Sequence, residues 1–221
     1  MMIPEEATDW AVQSGIEIPP KDYDLIQAPG PSSDAVITAP SNYRFLNGII
    51  EILGTVQVDD MTSFRIQVGQ GLNPESWFQI GEDYTRRISN RKIVDWDTTS
   101  FDDGLYALRL LVVRENFQVD THTVQVSVDN TAPIGKIIYP FQDQTIPRSS
   151  QGTITLQADV FDEAGIERVE WWLDGKRVGS GNQIPYSYPI NINAGKHSIY
   201  LKIYDLAGNE TITNEFEFFV E

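Results

Sequence analysis

The sequence predicts an all-β fold built as two β-sandwiches in tandem, and three observations predict it. Apolar and polar residues alternate with a period of two through most of residues 35–221, which half-buries each strand of an antiparallel sheet. Turn-forming residues interrupt that alternation at short intervals, as expected of many short strands. The pattern also occurs twice: Ile50/Ile52/Gly54/Val56 repeats as Ile154/Leu156/Ala158/Val160 at an offset of 104, and Asp103-Gly104-Leu105-Tyr106 as Ala194-Gly195-Lys196-His197 at an offset of 91. The difference of 13 places extra length in the first copy, around residues 69–92.

Along the chain, residues 1–33 read as a lead-in. Pro4, Glu5, Glu6 and Asp9 suit a first helical turn and Gly15 an end, so a short helix is expected over 4–15. Ile16 to Asp24 is stiffened by Pro19-Pro20, and Ala28-Pro29-Gly30-Pro31 reads as a linker. The first sandwich is expected over 34–130. Its strands carry Phe64/Ile66/Val68, Tyr106/Leu108/Leu110/Val112 and Val124/Val126/Val128 on one face. The second is expected over 131–221, with Val169/Trp171/Leu173, His197/Ile199/Leu201/Ile203 and Phe216/Phe218/Val220. Asp174-Gly175 between two strand-like runs signals a tight hairpin. The boundary falls at Val128-Asp129-Asn130-Thr131-Ala132-Pro133, a junction too short and stiff for free hinge motion.

Composition narrows the function classes. With 41% hydrophobic residues the chain has ample material for packed cores. Its net charge of −16 is spread along the chain as −5, −6 and −5 over residues 1–33, 34–130 and 131–221. Such a surface repels phosphate backbones and anionic lipid, so neither nucleic-acid binding nor membrane insertion by this chain is expected. The absence of cysteine excludes disulfides, cysteine-based zinc sites and thiol catalysis. The N-terminus, Met1-Met2-Ile3-Pro4-Glu5-Glu6, lacks the basic and apolar regions of a signal peptide, so export would require a signal outside this chain.

Several stretches resemble known modules. Asp129-Asn130-Thr131-Ala132-Pro133 resembles the junctions between bacterial immunoglobulin-like repeats, and Val169 to Gly179 the middle hairpin of such modules. His197-Ser198-Ile199 through Tyr204-Asp205-Leu206-Ala207-Gly208-Asn209 is similar to their penultimate strand and its turn, with Trp96 to Thr99 and Asp103 to Leu110 as the first copy's counterpart. The resemblance implies immunoglobulin-like sandwiches, a cell-surface setting and a non-catalytic role. Glu5-Glu6-Ala7-Thr8-Asp9-Trp10-Ala11, with Gly15-Ile16 and Pro19-Pro20, is similar to a segment after the transpeptidase domain of some large penicillin-binding proteins. That likeness implies an extracytoplasmic appendage of a peptidoglycan synthase, with upstream domains, peptidoglycan or cell-wall proteins as partners.

Residue by residue, no catalytic or cofactor-binding set emerges. Ser-x-x-Lys and Lys-Thr-Gly are both absent, and Ser180-Gly181-Asn182 stands alone in a hairpin. His122 and His197 fall in strand patterns, His197 at the place of Tyr106, which resembles a tyrosine corner. Trp96, Tyr106, Trp171 and His197 are therefore read as structural. Trp77, Phe78, Tyr84 and Trp172 are the candidates for an interface or a glycan-stacking platform, with Trp172 the most exposed. Turn acids dominate the carboxylates; the weak calcium candidates are Asp159, Asp162, Glu163, Asp205 and Asn209, which lack any Asp-x-Asp-x-Asp loop.

Overall fold

The computed structural model describes residues 34–147 and 152–221; the helix expected over 4–15 and the rest of the lead-in lie outside them. The alternating segments become strands, and their order in the sheets repeats. The first set is β1 (Ala35–Ala39), β2 (Phe45–Leu46), β3 (Ile49–Val56), β4 (Met61–Gln70), β5 (Phe78–Tyr84), β6 (Ile88–Asp97), β7 (Gly104–Arg114) and β8 (Val119–Val128). The second is β9 (Ile134–Tyr139), β10 (Thr145–Ile146), β11 (Thr153–Phe161), β12 (Ile166–Leu173), β13 (Lys176–Gly181), β14 (Ser187–Asn191), β15 (Gly195–Asp205), β16 (Glu210–Ile212) and β17 (Phe216–Val220).

Each set makes two sheets. The orders β1-β3-β6 and β2-β8-β7-β4-β5 in the first are matched by β9-β11-β14 and β10-β17-β15-β12-β13 in the second, with β16 added beside β15. Pairing is antiparallel except for β2 on β8 and β10 on β17, which are parallel. In both sets, therefore, the chain crosses from one sheet to the other after its first strand.

Two separate hydrophobic clusters fill the two sandwiches. Ile52, Phe64, Ile66, Leu108, Leu110 and Trp96 lie at the centre of the first, and Leu156, Trp171, Ile199, Leu201, Ile203 and Phe218 at the centre of the second. Burying each such side chain stabilises the fold by roughly 1.5–3 kcal/mol. The hairpin between β12 and β13 turns on Asp174 and Gly175, at φ +50° and +72°. This is the paired left-handed geometry that matches strand twist and that Asp-Gly adopts readily.

The inward parity continues to the strand ends. On β15, Ile199, Leu201 and Ile203 are buried, and Asp205, two residues on, is fully buried as well. A carboxylate on the core face at the rim of the sandwich defines the place to look for a site.

Candidate functional site: the acidic junction

Asp129 to Pro133 connects β8 to β9 and is held by side chains from both sandwiches. Asn130 fastens it to the first: its Nδ2 donates to the Thr98 carbonyl at 2.9 Å, and its Oδ1 accepts from Thr98 Oγ1 at 3.1 Å and from the Gly48 N–H at 3.3 Å. Asp103 adds an acceptor for the Asn130 N–H at 2.7 Å and for the Thr131 hydroxyl. From the second sandwich, Asn209 reaches back. Its Nδ2 donates to the Asp129 carbonyl at 2.9 Å and the Thr131 carbonyl at 3.1 Å, and its Oδ1 accepts from Asn47 Nδ2 at 2.7 Å. Ser33–Glu221 is accordingly one compact unit.

At this junction three acids meet. One carboxylate oxygen each from Asp129, Asp162 and Asp205 lies within 4.8 Å of the others. Two of them are placed by the turns they stand in. Asp162 caps the turn before β12, its Oδ1 accepting from the Ala164 and Gly165 N–H groups at 2.8 and 3.1 Å. Asp205 closes the turn after β15, its Oδ1 accepting from the Gly208 and Asn209 N–H groups at 2.7 and 2.8 Å and its Oδ2 from Asn209 Nδ2 at 2.8 Å. These are the backbone bonds that favour Asp in turns. Asp129 is different. It is only 7% exposed, its Oδ1 takes one long bond from the Thr131 N–H at 3.3 Å, and its Oδ2 is buried without a hydrogen-bond partner.

The electrostatics follow from that crowding. Two ionised oxygens at such a separation repel by roughly 3 kcal/mol at an effective dielectric of about 20. Burial, and then the neighbouring charges of Asp162, Asp205 and Asp103, push the Asp129 carboxyl up to about 6, against the opposing Thr131 N–H. Burial pushes the Asp162 carboxyl up as well, with Asp205 and Glu163 adding to it against the Ala164 and Gly165 N–H groups. Beside the cluster, a cleft of about 460 Å³ runs between the sandwiches, bordered by Asp103, Asp129, Asp162 and Glu163 with Phe45 and Phe161; none of its lining residues is lysine or arginine.

Of the weak calcium candidates, the fold brings together Asp162, Asp205 and Asn209, and puts Glu163 on the cleft. Asp159 goes elsewhere: between inward Ala158 and Val160 it faces outward, 3.9 Å from Lys136. Asp129 was missed as a carboxylate, although its segment was recognisable as a junction. A signal existed: the offset of 91 that aligns Gly104 with Gly195 also aligns Arg114 with Asp205, a reversal of charge at one inward position.

The other singled-out residues lie away from the junction. Tyr106 donates its hydroxyl to the Asp102 carbonyl at 2.9 Å and packs edge-on with Trp96 and Phe101. His197, at the equivalent place, bonds the Asn193 carbonyl through Nε2 at 3.0 Å and Asp174 through Nδ1 at 2.8 Å. Trp96 and Trp171 are core residues. Trp77 lies under the Arg109 guanidinium, 3.8 Å from the ring centre, and Tyr84 stacks on Phe64 at 5.2 Å. Trp172 is half-buried, stacked on Tyr200 at 5.7 Å with the Lys202 ammonium 4.8 Å from its ring, while Phe78 is 64% exposed. Trp77, Phe78 and Tyr84 belong to the first sandwich and Trp172 to the second.

The sheet order, the strand switch and the two packed cores define an immunoglobulin-like β-sandwich protein, and known proteins agree. Residues 133–201 match the family model for a bacterial Ig domain. The chain is 31% identical over 164 residues to the uncharacterized protein YvnB of Bacillus subtilis, an alignment covering 72% of this chain and 12% of that protein. It thus spans about an eighth of the length of that curated relative. Among solved structures, the fibronectin(III)-like modules of CbhA from Clostridium thermocellum give a TM-score of 0.53 at 20% identity, covering 85% of this chain and 94% of theirs. Murine CEACAM1b gives 0.42 at 15% identity, with 85% and 98% covered. At 20% identity the likeness to the CbhA modules is one of fold alone. Among the described residues, no helix is long and apolar enough to cross a membrane.

Proposed function

We propose that this chain is a non-catalytic spacer and interaction region of a longer extracytoplasmic protein, made of Ig-like modules over 34–130 and 131–221. The observation that carries the reading is the junction itself. Asn209 and Asn130 tie the connecting segment to both sandwiches by side-chain hydrogen bonds, so the pair suits holding its neighbours at a fixed distance and angle. The histidines support the same reading, because His197 is engaged by Asp174 and Asn193 and His122 by the Ile37 N–H at 3.2 Å. The decisive measurement is small-angle scattering of the chain beside Asn209→Ala and Asn130→Ala variants. A rigid spacer gives a profile fitted by one arrangement of residues 34–221, broadened in the variants. A wild-type profile that needs a wide ensemble of inter-module angles would sink the reading.

As the finer form of this proposal, the parent protein is a peptidoglycan synthase. Its support is the resemblance of Glu5 to Ala11, with Gly15-Ile16 and Pro19-Pro20, to the segment after a transpeptidase domain; none of the three relatives described above is named as such an enzyme. Transpeptidase motifs shortly upstream in the reading frame would uphold that parentage, and further Ig-like modules in that place would remove it.

A further inference from the structure

We propose that Asp129, Asp162 and Asp205 hold a calcium ion that bridges the inter-module segment to the second sandwich. Two observations beyond the acidic cluster support this. The first is Asp129 Oδ2, an anionic oxygen on a residue more than nine-tenths buried, left without a hydrogen-bond partner beside two further carboxylates. A buried carboxylate oxygen without a partner is costly, and a bound cation satisfies it.

The second is the other copy of the fold. β7 and β15 are equivalent strands of 11 residues each, ending in Arg114 and Asp205. At the end of β7, Arg114 carries the cation, bonded to Asp60 from the turn before β4 at 2.6 Å and to Asp120 at 2.7 Å. At the end of β15, the turn before β12 again supplies an acid, Asp162, but the central residue is itself an acid and the third group is Asp129. The same corner keeps its carboxylates and loses its built-in positive charge, and the lining of the adjacent cleft offers no lysine or arginine in exchange.

The donor set is all oxygen, which suits a hard cation that takes about six to eight oxygen ligands, water included, in flexible geometry. Magnesium is less well served, because it demands near-octahedral geometry and gives up its waters reluctantly. Because Asp129 lies in the connecting segment and the other two acids in the second sandwich, ion binding adds a link between them and stiffens the spacer.

Isothermal titration of calcium into the full, chelator-stripped 221-residue chain at pH 7.5 tests the site. One ion is expected, with a Kd of about 0.1–1 mM, the range of extracellular calcium modules, and affinity at least tenfold weaker in Asp129→Asn and Asp162→Asn, both checked for fold by circular dichroism. In wild-type amide spectra, the shifts on adding calcium should centre on Asp129–Thr131, Asp162–Gly165 and Asp205–Asn209, a readout that survives if a variant fails to fold. Absence of binding at 10 mM calcium, shifts centred elsewhere, unchanged affinity in both folded variants, or equal affinity for magnesium each overturns the assignment.

Discussion

The C-terminal ends of β7 and β15 occupy the same place in two copies of one fold, yet they solve the same problem in opposite ways. In the first sandwich Arg114 stands between Asp60 and Asp120, and the chain's own side chain offsets part of the corner's negative charge. In the second, Asp205 stands beside Asp162 and Asp129, and three acids share one corner. The contrast teaches that a rim carboxylate kept by turn chemistry takes its electrostatic character from whatever occupies the inward position at the adjacent strand end. Asp162 and Asp205 are fixed by backbone N–H groups whatever their neighbours. Asp129 has no such anchor beyond Thr131, so the strain of the corner collects there.

Removing Asp205 should break the second corner most severely. In Asp205→Ala the Gly208 and Asn209 N–H groups and the Asn209 amide lose their bonds to a carboxylate, although the Asn209 amide keeps the Asp129 and Thr131 carbonyls and the Gly208 N–H a 3.3 Å bond to the carbonyl of residue 205. Hydrogen bonds to a charged group contribute about 1.5–3 kcal/mol each, partly offset here by relief of repulsion, so a net loss of about 3 kcal/mol is expected in urea denaturation. A variant more stable than wild type would show that the repulsion outweighs the hydrogen bonds.

Asp129→Asn should act in the opposite direction. In chelator at pH 7.5 it removes a charge held close to two others and buried without a partner for Oδ2, and a gain of about 1–2 kcal/mol is expected. Adding 10 mM calcium should narrow that gap by about 1 kcal/mol or more, because only wild type retains the full ligand set. Equal melting temperatures for the two proteins in chelator would remove the contrast with the Arg114 corner.

Asn209→Ala affects the link between the sandwiches more than either sandwich alone. It deletes the bonds to the Asp129 and Thr131 carbonyls and to Asn47, a loss of about 1–2 kcal/mol of coupling. Calorimetry should then resolve two transitions where wild type unfolds in one. A single transition in both proteins would place the coupling elsewhere in the junction.

How much of this was legible beforehand depends on whether a contact is set by period or by pairing. Period two in the sequence assigned the faces of β11 and β15, and the same count places Asp159 outward and Asp205 inward. Asp174-Gly175 declared its turn through the φ it must adopt. What pairing alone decides was not legible. Trp172 faces away from the core, as alternation requires, but that it stacks on Tyr200 depends on the register of β12 against β15. Arg109 covering Trp77 depends on β7 lying beside β4. The acid cluster is hardest, since Asp129, Asp162 and Asp205 come from segments more than 30 residues apart and meet only when the second sandwich docks on the junction.

The smallest expected effect concerns a second carboxylate buried as deeply as Asp129 but given cations. Glu170, 6% exposed, accepts from Arg168 Nε at 3.2 Å, Arg177 at 3.1 Å and Trp172 Nε1 at 3.2 Å. Burial alone would push its carboxyl up, but the bonds from Arg168, Trp172 and Arg177 outweigh it and hold the group below its ordinary 4.5. Because the folded value is depressed, the stability Glu170 contributes is present above pH 4.5 and is lost as pH falls through the lower, folded value. Asp129, raised instead of lowered, has the opposite sign: the folded state binds its proton more tightly, so in chelator that group disfavours folding increasingly as pH rises from about 4 towards 6. Glu170→Gln should therefore cost about 1 kcal/mol at pH 7, since Arg168 and Arg177 are exposed enough to be solvated once unpaired, and that cost should shrink steadily below pH 4.5. Urea midpoints of both proteins between pH 3 and 7 measure the gap. A gap that stays constant through this range would mean that Glu170 acts through packing, and that its charge pairs contribute nothing to the difference between the two buried acids.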